Sequence, residues 1–331
     1  MRIISDQVIR NLGISPVSCV EWVKESLSIK SGAELPVKMG VHPAEGEFFT
    51  SMPCLLPPPI QDIDSQVNSG LKLKRRYFGL KLVHRLLTAV PSLGSNLLLY
   101  DASSGDLLAL MDADWITAMR TGALSAAAAK SLRKKNAKTY GFIGLGNTAR
   151  ATLLCLLEQE PHEKFDVKLL RYKDQHESFE ERFKDYSNVT FTESDDVNEL
   201  AESSDVLFSC ITHAEGNVVK DVATFKQGIT IIPVHTQGFM NCDTVFDRIF
   251  GDDTNHVRGF RYFSQFKGYN EIGEVFAGRD HGRENDEQRI INYNYGLGLH
   301  DVVYAAKIYE LTENQDLPTI NLFKETRKFW I

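Results

Sequence analysis

The stretch with the clearest chemistry runs from Lys138 to Arg150 and reads KTYGFIGLGNTAR. A short apolar run, Tyr140 to Ile143, is followed at once by Gly144-Leu145-Gly146-Asn147-Thr148-Ala149. That spacing is the strand, tight turn and helix start of a dinucleotide-binding unit, with alanine at the third small position. Gly144 would allow the turn, Gly146 would let the backbone approach a pyrophosphate, and Ala149 is small enough for the helix to lie on the strand. The helix expected over 148–159 would then offer free N–H groups and its positive dipole end to the phosphates, with Asn147 and Thr148 at its mouth. The bland alternative is a plain packing turn. The second strand of such a unit usually ends in Asp or Glu for the ribose hydroxyls. Here it ends Leu170-Arg171-Tyr172-Lys173-Asp174, with Tyr172 at that position between two cations. The cations favour a 2′-phosphate, and hence NADP(H) over NAD. Asp174 would still reach the ribose if the turn is shifted, and the cations could instead be ordinary solvated charges.

Such a turn needs a parallel sheet around it. Strands are expected at 139–144, 167–171, 189–192, 206–211 and 228–234, with helices between them running to 159 and over 179–184 and 196–202. This alternation predicts an α/β fold of Rossmann type, a doubly wound parallel sheet. A helix and a strand near 259–263 would continue it. Thr212, after the fourth strand, is a further candidate cofactor contact. Upstream lie a short strand at 2–5, two helices (the second at 18–29) and a strand at 48–52. The run Pro57-Pro58-Pro59 cannot join a central sheet and marks a stiff connection into a polar loop at 60–76. GLKLVHRLL then reads as a strand, and NLLLYDASSGDLLALMD as a hairpin turning at 101–106. An alanine-rich helix over 113–133 joins this antiparallel sheet to the nucleotide-binding part. Residues 284–311 read as helical and as returning to the first domain. The expected organisation is a split α+β substrate-binding and dimerisation domain, 1–113 with 296–331, around a Rossmann domain, 114–295.

Composition narrows the class. With 331 residues and 43% apolar content the chain exceeds a single core, and a net charge of −7 without a basic stripe argues against a nucleic-acid partner. Five scattered cysteines without a CxxC read as reduced thiols, and no apolar run approaches membrane length, so the expected location is cytoplasmic. His256 and His281 have no partner at metal-ligand spacing, and no metal is expected. The aromatic-rich stretch 260–274 reads as core and loop packing, or as a wall of the substrate pocket.

Two blocks point to a family. LALMDADWITAMRTGALSA, from Leu108 to Ala126, runs into the glycine turn, and GLKLVH, from Gly79, precedes the hairpin. Together they resemble the ornithine cyclodeaminase / mu-crystallin family, from Met52-Pro53 to Leu299-His300-Asp301. The resemblance implies a split substrate and dimerisation domain, commonly a homodimer, an inserted Rossmann domain, bound NAD(P), and an amino acid or cyclic imine as substrate. It matches the family's catalytic lysine to Lys81, with Lys72 as a rival that registers less well with the hairpin. The substrate-carboxylate arginine matches Arg120, beside Thr121 on the cofactor side, and a second basic position matches Lys38, ahead of Met52. A lysine there neutralises a carboxylate but loses the bidentate fork.

The departures bear on the reaction. The aspartate that serves cyclodeaminases as an acid/base group aligns with Gln237, which cannot carry a proton, and another family carboxylate aligns with Thr50. His235, in the same loop, could replace the missing base, since a pKa of about 6.5 suits proton transfer, or it could be a satisfied loop residue. Independently of the family, oxidation at an amino-acid Cα calls for a carboxylate anchor, a base and a positioned nicotinamide. Arg120 and Lys81 suit the first two, although either could make an ordinary surface ion pair. The expectation is an NAD(P)-dependent enzyme transferring hydride at an amino-acid Cα or a cyclic imine carbon: a cyclodeaminase, an amino-acid dehydrogenase or a ketimine reductase. The alternative is a nucleotide-regulated small-molecule binding protein that has lost turnover.

Overall fold

A computed structural model describes residues 1–59, 72–235 and 238–322. Most of the polar loop expected at 60–76, and Gln237 with its expected catalytic position, lie outside the described residues. The chain runs β1 (Arg2–Ile4), α1 (Asp6–Asn11), α2 (Pro16–Ser28), β2 (Met39–Val41), β3 (Phe48–Leu55), β4 (Tyr77–Arg85), β5 (Leu93–Asp101), β6 (Leu107–Asp112) and α3 (Asp114–Leu132). It continues β7 (Thr139–Ile143), α4 (Asn147–Gln159), β8 (Phe165–Leu170), α5 (Gln175–Arg182), β9 (Val189–Ser194), α6 (Val197–Ser203), β10 (Val206–Ser209) and β11 (Thr230–Pro233). The last elements are β12 (Arg248–Gly251), α7 (Thr254–Val257), β13 (Asn270–Glu271), α8 (Ile272–Phe276), β14 (Ile290–Tyr293) and α9 (Gly298–Leu311). Among the described residues no helix is long and apolar enough to cross a membrane.

The chain divides into two units. The first holds Met1–Gly13, Ile29–Thr117 and the chain from Asp301 onward. Its six-stranded sheet has the order β1-β6-β5-β4-β3-β2, antiparallel except for β1 against β6. Alternation sets its faces: in β4, Tyr77, Gly79 and Lys81 are buried while Phe78 and Leu80 are only partly covered. Lys81 is therefore a charge at an inward position of an otherwise apolar alternation. The helix over this face is α9, which comes so close that a Cβ on Gly79 would sit 2.5 Å from a Val302 methyl.

The second unit holds Ile14–Ser28 and Ala118–His300. Its eight-stranded sheet is parallel throughout, in the order β13-β12-β14-β11-β10-β7-β8-β9. Strands covered on both faces should be largely apolar, and VLFS and TIIP, buried at every position, each carry a single hydroxyl residue at one end. Successive strands run outward from β7 to β8 and β9, and the chain then returns to β10 on the other side of β7. This is the doubly wound α/β arrangement expected, with its switch point between β7 and β10.

Several expectations are corrected. Residues 14–28 are expected in the first unit, but α2 packs on α4 and α8 of the second. The helix expected across 284–311 is interrupted: Ile290–Tyr293 is a fully buried strand, and Gly296, with φ +83°, separates it from α9. The apolar spacing of IINYNYGLGLHDVV suits a helix, but two glycines and a β-branched pair favour strand then turn. The strand expected near 259–263 is instead turn structure, whose Phe260 packs on Tyr293 and whose Phe263 packs on Phe266. Arg248–Gly251 supplies the strand. The strand expected to reach residue 211 ends at Ser209.

The starts of two adjacent parallel strands share one carboxylate. Asp205, just ahead of β10, accepts the Lys138 and Thr139 amides at 2.8 and 3.1 Å and pairs with Lys134 and Lys226 at 2.7 and 2.8 Å. Burial pushes its pKa up, but the Lys134 ammonium, the Lys138 amide, Lys226 and the Thr139 amide together hold it well below the usual carboxylate range. A carboxyl more acidic folded than unfolded adds stability above its unfolded pKa and loses it as pH falls through the folded value. Asp205→Asn should therefore cost about 2–4 kcal/mol at pH 7. The gap from the parent protein, read by urea unfolding, should narrow below about pH 4.

Candidate functional site

The glycine turn lies at the switch point. Gly144 follows β7 with φ +80°, and a Cβ there would stand 2.8 Å from the Ile211 amide nitrogen, where the chain leaves β10. No side chain fits. Gly146 is the N-cap of α4, supplies no side-chain cap, and a Cβ on it would meet nothing within 4 Å. The first N–H groups of a thirteen-residue helix thus face open space through exposed Gly146 and Asn147 and half-buried Thr148, while Ala149 is buried against the sheet. These features fit a pyrophosphate. Thr212 is exposed on the loop after β10, beside a recess lined by Ile211, Ala214, Asn217 and Val218.

At the end of β8, Arg171 does not stand alone. It pairs with Glu193, and with Asp195 at 3.0 Å. Tyr172 is exposed, and Lys173, in the left-handed region at φ 51°, lies over its ring. Of the two cations that suggest a 2′-phosphate, Arg171 is thus already paired with two carboxylates.

In the first unit the lysine matched by the resemblance is fully sealed. Lys81 Nζ lies 2.8 Å from Asp301 Oδ1, and both side chains have zero exposure. Its rival, Lys72, is exposed. Gly79 and Lys81 share a face of β4, and Asp301 and Val302 are neighbours on α9, so the close approach at Gly79 also delivers the carboxylate to the ammonium. Lys81 also donates to Thr117 Oγ1 at 3.3 Å. Met52, on β3, is the cross-strand partner of Lys81 and is buried, while Thr50, two residues along, pairs with Val83. Lys38 is half-buried just ahead of β2. Burial, and after it the Asp301 charge, push the Cys54 thiol up to about 12, so it stays protonated.

In the second unit Arg120 and Thr121 lie on α3, both buried. The Arg120 guanidinium rests on Gly296, where a Cβ would be 2.3 Å from Nη1. The Gly296 amide is held in turn by fully buried Asp252 at 2.5 Å. His235 follows β11, with its Nε2 2.7 Å from Ser209 Oγ at the end of β10 and its ring near Phe239. Both therefore lie at the C-terminal ends of parallel strands, where α/β sheets bind ligands. Asp243, fully buried, accepts from the Tyr293 hydroxyl at 2.6 Å; burial outweighs that bond and pushes its carboxyl up to about 6.

Asp301, Thr117, Ser209 and Asp252 escaped the sequence reading as site residues. Only Asp301 carried a signal, a lone acid in the apolar stretch LGLHDVVYAA. Removing one partner of a buried pair strands the other charge, whereas replacing both with apolar groups removes the penalty. Asp301→Ala is expected to destabilise the protein by about 3–5 kcal/mol, and Lys81→Met combined with Asp301→Leu to recover most of that loss in denaturant melts. Gly296→Ala should displace Arg120 while leaving the glycine turn intact; retained nucleotide affinity alongside an altered Arg120 environment would be the sign.

Comparison with known proteins follows the same lines. A model of the ornithine cyclodeaminase/mu-crystallin family matches residues 68–316. The ketimine reductase mu-crystallin of Mus musculus is 33% identical over 229 residues, covering 67% of this chain and 71% of that protein. The alanine dehydrogenase of Archaeoglobus fulgidus is 30% identical over 234 residues, covering 67% and 71%. The structure of the Thermococcus litoralis Delta(1)-pyrroline-2-carboxylate reductase, in complex with NADH and L-proline, superposes with a TM-score of 0.80 at 24% identity, covering 97% of this chain and 100% of that one. By the match over residues 68–316, this chain belongs to the ornithine cyclodeaminase/mu-crystallin family.

Proposed function

We propose that this protein is an NAD(P)-dependent enzyme that transfers hydride at an amino-acid Cα or at the carbon of a cyclic imine. The observation that carries the reading is the sealed Lys81–Asp301 pair. A buried ion pair is a weak source of stability, so a lysine retained at zero exposure in an apolar sheet suits proton transfer better than packing. The activities named for the relatives, alanine dehydrogenation, ketimine reduction and pyrroline-2-carboxylate reduction, share this hydride chemistry and support it.

The roles follow from chemistry. Arg120 anchors the substrate carboxylate, with Lys38 and Met52 as further substrate contacts. Thr121, Gly144, Gly146, Asn147, Thr148, Ala149 and Thr212 hold the dinucleotide, which accepts or supplies the hydride. Lys81 exchanges a proton with the substrate nitrogen, since an imine takes hydride readily only when protonated and an amine gives it up only when neutral. His235, oriented by Ser209, is a second proton carrier. Cyclodeamination is the less favoured reaction, because the position of the proton-carrying aspartate is Gln237. With Arg171 already paired, any preference of Arg171, Tyr172 and Lys173 for NADP(H) over NAD is small. Free thiols at all five cysteines fit a reducing compartment, and we read the protein as cytoplasmic. Edge strand β2 exposes Met39 and Val41 at 71% and 66%, which favours a homodimer that covers them.

The test is product detection by mass spectrometry after incubation with NAD or NADP and a panel of amino acids and cyclic imines. An oxo acid, imine or reduced imine is expected, together with the change in cofactor redox state. Nucleotide binding without product from any pair would favour the binding-protein alternative. Arg120→Ala should raise KM by about 10²-fold, a loss of 2–3 kcal/mol, with nucleotide affinity nearly unchanged. Equal loss of both would make Arg120 structural.

A further inference from the structure

Lys81 is the first member of a hydrogen-bond chain that leads out of the buried sheet. Its ammonium donates to Thr117 Oγ1 at 3.3 Å; Thr117 Oγ1 and Ser95 Oγ are 2.9 Å apart; and Ser95 Oγ is 3.1 Å from Asp114 Oδ1. The Ser95 backbone amide donates to the same carboxylate oxygen at 2.5 Å. Lys81 and Ser95 are buried, whereas Thr117 and Asp114 are only half-covered. All four belong to the first unit, on β4, β5 and the first turn of α3.

Counting protons along these four groups allows one direction that runs from end to end. An ionised carboxylate only accepts, so the Ser95 hydroxyl proton points to Asp114. Ser95 Oγ is then open to accept from Thr117, whose hydroxyl proton in that direction points to Ser95. Thr117 Oγ1 in turn accepts from Lys81, which has only protons to give. Every donor faces the same way, from the sealed ammonium toward the half-exposed carboxylate. This polarity follows from the two ends, a group that only donates and a group that only accepts, and it is the polarity a proton path needs.

We propose that Thr117 and Ser95 form a proton relay between Lys81 and Asp114. As Lys81 gives up a proton to Thr117, Thr117 passes its own to Ser95, and Ser95 passes its own to the Asp114 carboxylate, which releases it to water. Lys81 is left as the neutral amine and both hydroxyls are left reversed; reprotonation runs the sequence backward. Asp301 keeps the amine in place throughout. The proposal rests on the reading of Lys81 as a proton carrier and supplies the route by which a residue closed to water exchanges with it.

The relay can be tested without a substrate. In full-length protein labelled with ¹⁵N-lysine, the Lys81 Nζ resonance is assigned by its loss in Lys81→Met, and its hydrogen exchange with water is timed by NMR. Thr117→Val keeps the shape and removes the hydroxyl, and exchange should slow several-fold. Thr117→Ser restores a hydroxyl and should restore the parent rate, which a merely structural role for the threonine would not predict. Ser95→Ala breaks the middle link while leaving the backbone bond to Asp114, and should slow exchange as Thr117→Val does. Exchange as fast in Thr117→Val and Ser95→Ala as in the parent protein would overturn the relay. The underlying reading fails separately, if Lys81→Met turns over substrate at the parent rate.

Discussion

Two opposite charges with zero exposure, Lys81 and Asp301, impose the tightest condition on this fold. Each would be costly to bury alone, and their mutual attraction offsets that cost only at hydrogen-bond distance. The distance is set by neighbours without charge. Gly79 lacks the Cβ that would meet Val302, so α9 can settle onto β4, and the carboxylate one residue before Val302 reaches the ammonium two residues after Gly79. Met52 lies opposite Lys81 in the ladder, so a slip of one residue between β3 and β4 would turn Met52 away from this face. The register of the sheet, the seat of the helix and the state of the lysine are one constraint.

The parallel sheet is governed by the backbone. Gly144 lets the chain leave β7 within contact of the segment leaving β10, and this closeness lets α4 begin at the switch point with its N–H groups outward. At the opposite ends of the strands, Asp205 gathers the Lys138 and Thr139 amides and two lysines, holding the starts of β7 and β10 in step. One end is thus fixed by a saturated carboxylate. The other is left with unsatisfied donors, a poor way to gain stability and a good way to hold an anion.

What could be read from the sequence follows the range of the forces involved. The glycine turn and the 101–106 hairpin depend on a few adjacent residues and are read directly, as are the strands alternating around them. Ile14–Ser28 and Ile290–Tyr293 depend on distant partners. The amphipathic α2 is helical by its own spacing, yet only its packing on α4 and α8 says which unit owns it. Asn292 and Tyr293 become strand because β11 and β12 flank β14. The site divides in the same way. Lys81 and Arg120 stand in motifs, but Asp301 lies more than two hundred residues from its partner, and Thr117 and Ser95 are ordinary hydroxyls until the fold aligns them.

A protein that only captured a carboxylated ligand would need a cation, an apolar wall and a way in, and Arg120 held on Gly296 answers the first of these. A second cation adds little to capture when its charge is already offset by a carboxylate, as that of Lys81 is by Asp301. The arrangement around Lys81 makes sense for a group that changes its charge. Asp301 stands at hydrogen-bond distance from the ammonium, the Thr117 and Ser95 hydroxyls continue the row of hydrogen bonds toward Asp114, and the close approach at Gly79 fixes where Asp301 lies. Binding asks a lysine to stay charged, whereas hydride transfer at a carbon bearing nitrogen asks it to alternate. On the proposed reading, the surroundings of Lys81 suit that alternation.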